Sequence, residues 1–140
     1  MSKRVFWCCL AVLLAGGATT VCAEGVQTEV LARTSSSWDG GRLPEYPKGI
    51  PEVTILRIRI PPGAALPMHK HPVINAGVLI SGELRVTTED GKVLSVRAGE
   101  AIVEVVDKPH FGKNESDGFA EIVVFYAGGA GAPLVVKQSE

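Results

Sequence analysis

Cysteine is absent from most of this sequence. The 140-residue chain has three cysteines, and the last of them is Cys22. Beyond that point the chain can form no internal disulfide and offers no thiolate as a metal ligand. The remaining residues must therefore be held by a hydrophobic core of their own, and their number is sufficient for one such domain.

Clustered charge is also lacking. The chain has 14 basic and 15 acidic residues, which gives a formal net charge of −1. These side chains are scattered and form no basic run. We therefore expect neither nucleic acid nor, once the N-terminal segment is removed, a membrane as a partner.

The N-terminal segment, residues 1–23, has the pattern of a secretory signal peptide. Two basic residues precede the apolar run Val5–Ala18, which is too short and too rich in glycine to cross a bilayer. Cleavage is expected after Ala23. Acylation of Cys22 is the alternative, but the residue before it, Val21, is bulky where lipidation needs a small one. We predict a mature chain that is periplasmic or secreted.

Long helical patterns are missing from the mature chain. No stretch of about twelve residues or more has helical apolar periodicity without glycine or proline. Short apolar runs alternate instead with Gly- and Asp-containing turns, which is typical of a sandwich or barrel. We predict an all-β domain with strands near residues 53–60, 76–81, 83–88, 92–97, 101–106 and 119–127.

The segment before these strands, residues 24–50, is polar and interrupted by serine, glycine and proline. Such a composition predicts an extended arm rather than a packed element. Trp38 and Tyr46 are the side chains that would attach it to the domain, which we place at residues 51–140.

Histidine is scarce, and its placement is informative. Two of the three histidines form the sequence His69-Lys70-His71, which follows a proline-rich turn. Alternate residues of a strand point to the same face, so both imidazoles would lie together and Lys70 would point away. Neutral imidazole is a good ligand for transition metals, although two solvated histidines would give the same pattern.

The surroundings of the histidines resemble the two motifs of the cupin superfamily. The first motif is Gly, five residues, His-x-His, three or four residues, Glu, six residues, Gly. The second is Gly, five residues, Pro-x-Gly, two residues, His, three residues, Asn. The matching positions here are Gly63, His69, His71, Asn75 and Gly82 in the first motif, and Gly99, Val105, Asp107, His110 and Asn114 in the second.

This resemblance covers about Val53 to Tyr126 and is similar to compact single-domain bacterial members. It implies a small antiparallel β-barrel of the double-stranded β-helix, or jelly-roll, type. It also implies a homodimer, because the N-terminal arm of similar cupins can cross to a neighbouring subunit.

The resemblance further implies one divalent transition metal, whether Fe, Mn, Zn, Ni or Cu, held by His69, His71 and His110. Asn75 stands where the family has glutamate, so the fourth position would be Asn75 or water, and the site would be more positive by about one charge. A cupin that keeps its histidines without a metal is the alternative.

Glu104 interrupts the apolar run Ala101–Val106. Its alternation partners, Ile102 and Val106, are apolar, so one interpretation turns Glu104 into the barrel as a proton-transfer group or as a partner of a ligand histidine. The other interpretation leaves it at an exposed rim, where most glutamates lie.

Four further residues invite plainer interpretations. Asn114 fits a polar turn. Three aromatic residues would either line a pocket or fill the barrel core, and we favour the core; they are Phe119, Phe125 and Tyr126.

Two functions would use the histidines, and a third possibility, a structural or oligomer-forming β-domain, draws support only from the N-terminal arm. The first is an exported metalloenzyme of the dioxygenase or a related type, with Glu104 as its base, acting on a small molecule. The second is a non-catalytic module that binds a small molecule or a metal in the cell envelope. The same residues serve both.

Overall fold

The computed structural model describes residues 25–138, so the predicted signal peptide lies outside the described residues. Within this range all regular elements are strands. No helix among the described residues has the length and hydropathy that a bilayer span requires. The strands are β1 (Pro51–Ile60), β2 (His69–Lys70), β3 (Ile74–Ser81), β4 (Glu83–Thr88), β5 (Val93–Arg97), β6 (Ala101–Val103), β7 (His110–Asn114), β8 (Ala120–Gly129) and β9 (Val136–Lys137).

The strands form two sheets. One has the order β1-β8-β3-β6 and the other has the order β5-β4-β7-β2-β9. All pairs of named strands are antiparallel. The predicted all-β, antiparallel jelly-roll class is confirmed.

The core lies between the sheets and follows strand alternation. In β8, every second residue from Ala120 to Tyr126 is buried, and β4 shows the same period at Leu84, Val86 and Thr88. Residues that alternate in this way share one face of the sheet, and here that face is the inner one.

Two of the aromatic residues do not fill this core. Phe119 is 48% exposed and Phe125 is 47% exposed, so the interpretation of both as core residues is wrong. Phe125 lies on the outer face of β8, opposite Ile55 of β1, because it alternates with the buried Tyr126. Phe119 instead has the guanidinium of Arg59 4.6 Å above its ring.

The N-terminal arm is attached at one of the two predicted points. The amide of Trp38 donates to the carbonyl of Val103, and the Trp38 side chain packs against the core. Asp39 accepts a hydrogen bond from Lys108 Nζ at 2.8 Å. Tyr46, in contrast, is 75% exposed and does not anchor the arm.

Candidate metal centre

The three histidines meet at one end of the barrel. His69 of β2 is the register partner of His110 of β7, which places these two side chains on the same face of adjacent strands. His71 follows β2 and forms a bridge with Val106. All three side chains are buried. Lys70 lies on the other side, as predicted, where its ammonium group pairs with Asp107 at 3.2 Å.

The imidazoles are close enough to share one ion. Each histidine offers a ring nitrogen, and the three nitrogens lie within 4.8 Å of one another. The ring centroids are 4.7 to 5.1 Å apart. The three rings are not hydrogen-bonded to one another, because the Nδ1 atom of each ring lies beside a backbone carbonyl instead.

The backbone fixes the tautomer of each ring. The Nδ1 atoms of His69, His71 and His110 lie 2.8 Å from the carbonyl oxygens of Pro67, Leu134 and Lys108, respectively. A carbonyl can only accept, so each Nδ1 carries the proton and donates it. In the neutral form of each ring the Nε2 atom then carries the free lone pair, and this is the form that ligates a metal.

Burial reinforces this neutral state. It lowers the pKa of His71 to about 4, and it also lowers the pKa of His110. The neighbouring imidazoles act in the same direction, because a second positive charge in the cluster would be unfavourable. These two rings are therefore neutral at physiological pH.

Asn75 faces the same cavity. It is 1% exposed, and its Oδ1 atom has no hydrogen-bond partner among the described residues. Its Nδ2 atom lies 3.4 Å from the carbonyl of Val73, a long hydrogen bond. An unpartnered amide oxygen in a buried site is unusual and is available to a ligand.

Glu104 also turns inward, so the exposed-rim interpretation is wrong. β6 ends at Val103, and the following segment carries the Glu104 side chain into the barrel. Its Oε2 atom lies 3.6 Å from Nε2 of His110, and both atoms lack a hydrogen-bond partner within the described range. Burial raises the pKa of Glu104 to about 7.

Asn114 serves a turn, as predicted, because its Oδ1 atom accepts from the amide of Ser116, and it also has a wider structural role. It ends β7 and is fully buried. Its Nδ2 atom lies within hydrogen-bond distance of the carbonyls of Ile60, Pro61 and Gly118, and its Oδ1 atom accepts from Ser116. Asn114 therefore links the loops at the end of the barrel remote from the histidines.

The cavity beside the histidines has a volume of about 230 Å³. Tyr126 lines it next to His71, with the two ring centroids 5.5 Å apart. The rest of its wall is mostly aliphatic. In the sequence, only the alternation of apolar residues along the strands indicated that these side chains point inward; they include Ile58, Ile60, Leu84, Val86, Ile122 and Val124.

These features fit a transition-metal ion. Three buried imidazoles converge, and each has the backbone partner that commonly orients a metal-ligating histidine. Three buried polar atoms nearby have no partner in the part of the chain that the structure describes; they belong to Asn75, Glu104 and His110. A cation bound by the three imidazoles would give the Nε2 atom of His110 a partner.

Comparison with solved structures gives the same fold. The chain is similar to an oxalate oxidase in complex with glycolate, with 31% identity and a TM-score of 0.51 over 61% of this chain and 45% of that chain. It is also similar to the DMSP lyase DddQ from Ruegeria pomeroyi, with 19% identity and a TM-score of 0.54 over 63% of this chain and 45% of that one.

A third similar structure is the polyketide cyclase RemF from Streptomyces resistomycificus, with 17% identity and a TM-score of 0.54 over 66% of this chain and 64% of that one. The chain spans less than two thirds of each of these proteins. No curated protein matches it in sequence.

The family comparison covers the site itself. The sequence-family model of the cupin domain matches residues 56–126, which is half of the chain and includes all three histidines. Together with the jelly-roll fold, this match assigns the family. The chain belongs to the cupin family.

Proposed function

We propose that the protein binds one divalent transition-metal ion through Nε2 of His69, His71 and His110 and acts as a metal-dependent enzyme on a small molecule. The observation that carries the proposal is the orientation of the rings: all three Nδ1 atoms donate to backbone carbonyls, which leaves three convergent Nε2 lone pairs. When bound, the metal supplies Lewis acidity and open coordination positions for a substrate oxygen.

Glu104 is the proposed acid–base residue. It is the carboxylate that lines the cavity, and its Oε2 atom lies 3.6 Å from Nε2 of His110. A carboxylate beside the ligand cluster can exchange a proton with a bound small molecule.

The similarity to an oxalate oxidase supports oxygen-dependent chemistry at this site. The chain covers 45% of that protein. The second candidate is a binding module without turnover, because three histidines beside a mostly aliphatic cavity of about 230 Å³ can hold a metal and a small molecule without a reaction.

Elemental analysis tests the metal. The mature chain is purified, reconstituted separately with Fe, Mn, Zn, Ni and Cu ions, and desalted. About one ion per chain is expected for at least one metal, with loss in His110→Ala. Lys70→Ala is the matched control, because Lys70 lies between two of the histidines but outside the site. No retained metal under any condition would overturn the proposal.

Oxygen uptake then separates the two candidates. The metal-loaded protein is assayed with phenols, diketones, thiols and short carboxylic acids. Turnover with a kcat that is lower in Glu104→Gln than in the native protein supports the enzyme. Saturable ligand binding without turnover supports the binding module.

Export and dimerisation complete the proposal. Export is supported by the sequence of residues 1–23, and fractionation of cells that make the full chain is expected to yield protein shortened after Ala23 outside the cytoplasm.

Dimerisation through the arm is tested by deleting residues 24–33, which leaves the attached segment around Trp38 in place. Unchanged sedimentation of the shortened chain would exclude a role for this part of the arm.

A further inference from the structure

The cavity has two chemically different ends. In β8, the inward residues run from Tyr126, beside the histidines, through Val124 to Ile122. In β7, they run from the ligand candidate His110 to Gly112. Two residues of a strand span about 6.6 Å, so the polar groups occupy one end of the cavity and aliphatic side chains occupy the other.

The aliphatic end offers no free polar partner among its described lining residues. Asn114 is the buried polar residue closest along β7, and its amide group is engaged with backbone carbonyls and Ser116. The walls at this end come from Ile58, Leu84 and Ile122. A charged or strongly polar ligand group at this end would be buried without compensation.

The mouth of the cavity carries a positive charge. Val135 is 43% exposed and borders the cavity together with Lys137, so the opening lies beside the C-terminal strand. Lys137 is the register partner of His69, and directly opposed residues of antiparallel strands project to the same side. An anionic group that enters the site therefore passes this ammonium group on its way to the histidines.

We propose that the ligand of this cavity is a small monoanion with one oxygen-donor head, such as a carboxylate or an enolate, and a short aliphatic tail. The head binds at the three-histidine end near Lys137, and the tail packs between Ile58 and Ile122. This assignment rests on the proposed metal site. It separates this chain from an enzyme for a dicarboxylate, because the second carboxylate would lie against aliphatic walls.

Butyrate and succinate provide a matched pair of probes, since succinate replaces the terminal methyl group of butyrate with a second carboxylate. Calorimetry on the zinc-loaded mature protein is expected to give affinities that rise from acetate to butyrate by roughly fourfold per methylene. Succinate is expected to bind at least about tenfold more weakly than butyrate. Equal or tighter binding of succinate, or no binding of any of these acids, would overturn the inference.

Two variants test the placement of the tail. Ile58→Lys brings a cation to the aliphatic end and is expected to reduce or reverse the preference for butyrate. Ile55→Lys is the matched control, because Ile55 lies on the outer face of the same strand and is 57% exposed. Should Ile58→Lys fail to fold, Ile122→Val serves instead and is expected to favour a longer tail. An unchanged preference in the folded variant would contradict the placement.

The zinc content of each sample distinguishes failure of the proposed metal site from failure of the proposed ligand class. Protein that retains no zinc contradicts the metal site and, with it, this inference. Protein that retains one zinc ion but does not discriminate between butyrate and succinate contradicts only the ligand class. Lys137→Ala is expected to weaken the binding of both acids by a similar factor. A change in the affinity for only one acid would contradict the placement of Lys137 beside the head group.

Discussion

Glu104 places its Oε2 atom 3.6 Å from Nε2 of His110, and both atoms are buried without a hydrogen-bond partner in the described part of the chain. This separation is too long for a strong hydrogen bond. Glu104 therefore places a carboxylate beside one histidine of the candidate metal centre, whereas the ligand atoms that lie within 4.8 Å of one another belong to the three histidines.

Replacement of Glu104 by glutamine is expected to weaken metal binding about 10–100-fold, because it removes the carboxylate nearest to the histidines while keeping the shape of the side chain. Calorimetric titration with zinc measures the effect. Glu89→Gln is the control, since Glu89 is an exposed glutamate. Equal affinities of the native protein and Glu104→Gln would show that Glu104 does not act on the metal.

The same variant gives a pH-dependent prediction for the metal-free protein. Burial raises the pKa of Glu104 from 4.5 to about 7, so the folded state holds a proton that the unfolded state releases. Ionisation therefore destabilises the fold as the pH rises through this interval. The free energy of unfolding of Glu104→Gln minus that of the native protein is expected to increase between about pH 5 and pH 8.

Chemical denaturation at several pH values measures this difference directly. The difference reports Glu104 together with its coupling to His110, which lies 3.6 Å away. A difference that stays constant across the interval would mean that Glu104 titrates normally.

Asn75→Glu restores the carboxylate of the first motif and is expected to tighten zinc binding on the order of tenfold. Asn75 is 1% exposed, lines the same cavity as the histidines and has no partner for Oδ1 among the described residues, so the longer side chain enters that cavity. In the Glu104→Gln background the change is expected to recover the lost affinity. Equal or weaker binding in both backgrounds would show that position 75 does not face the metal.

Asp39 provides a prediction away from the site. Lys108 donates to its carboxylate, and this contact holds the pKa of Asp39 well below its usual range. Asp39→Asn is expected to lower the free energy of unfolding at pH 7 by about 1–2 kcal/mol, since the pair is only partly shielded from water. Asp117→Asn, at an exposed aspartate, is the control.

The deficit of Asp39→Asn should shrink in acid. A carboxylate with a depressed folded-state pKa stabilises the protein fully above its unfolded pKa of roughly 4 and loses this contribution gradually as the pH falls towards the folded-state pKa. Thermal unfolding at several pH values from about 7 down to about 2 follows this decline. A deficit of constant size over the whole series would indicate a packing effect instead.

The sequence alone predicts those parts of the fold and site that depend on local periodicity. His69 and His71 share a face because alternate residues of any strand do, and β4 was predicted with its observed bounds for the same reason. Bringing His110 to them requires the pairing of β2 with β7, a contact between residues distant in sequence. Only the resemblance to the cupin motifs predicted this contact.

Which side chains of β6 and β8, and of the segment after β6, point into the barrel was not predictable in this way. Val103 and Val105 flank Glu104 and are apolar like its alternation partners, so hydrophobic patterning does not define which side is inner. β6 ends at Val103, and the irregular segment that follows determines where Glu104 points. Phe125 was misjudged for a related reason, because the outer face of β8 is also largely apolar.

The carbonyl of Leu134 that orients His71 lies 63 residues further along the chain. The candidate metal centre is therefore complete only when the segment leading to β9 has docked beside β2. During synthesis the three histidines emerge before this segment, so the proposed metal site is completed only after the segment has docked. A chain truncated before Leu134 would retain every candidate ligand and lack the geometry to use them.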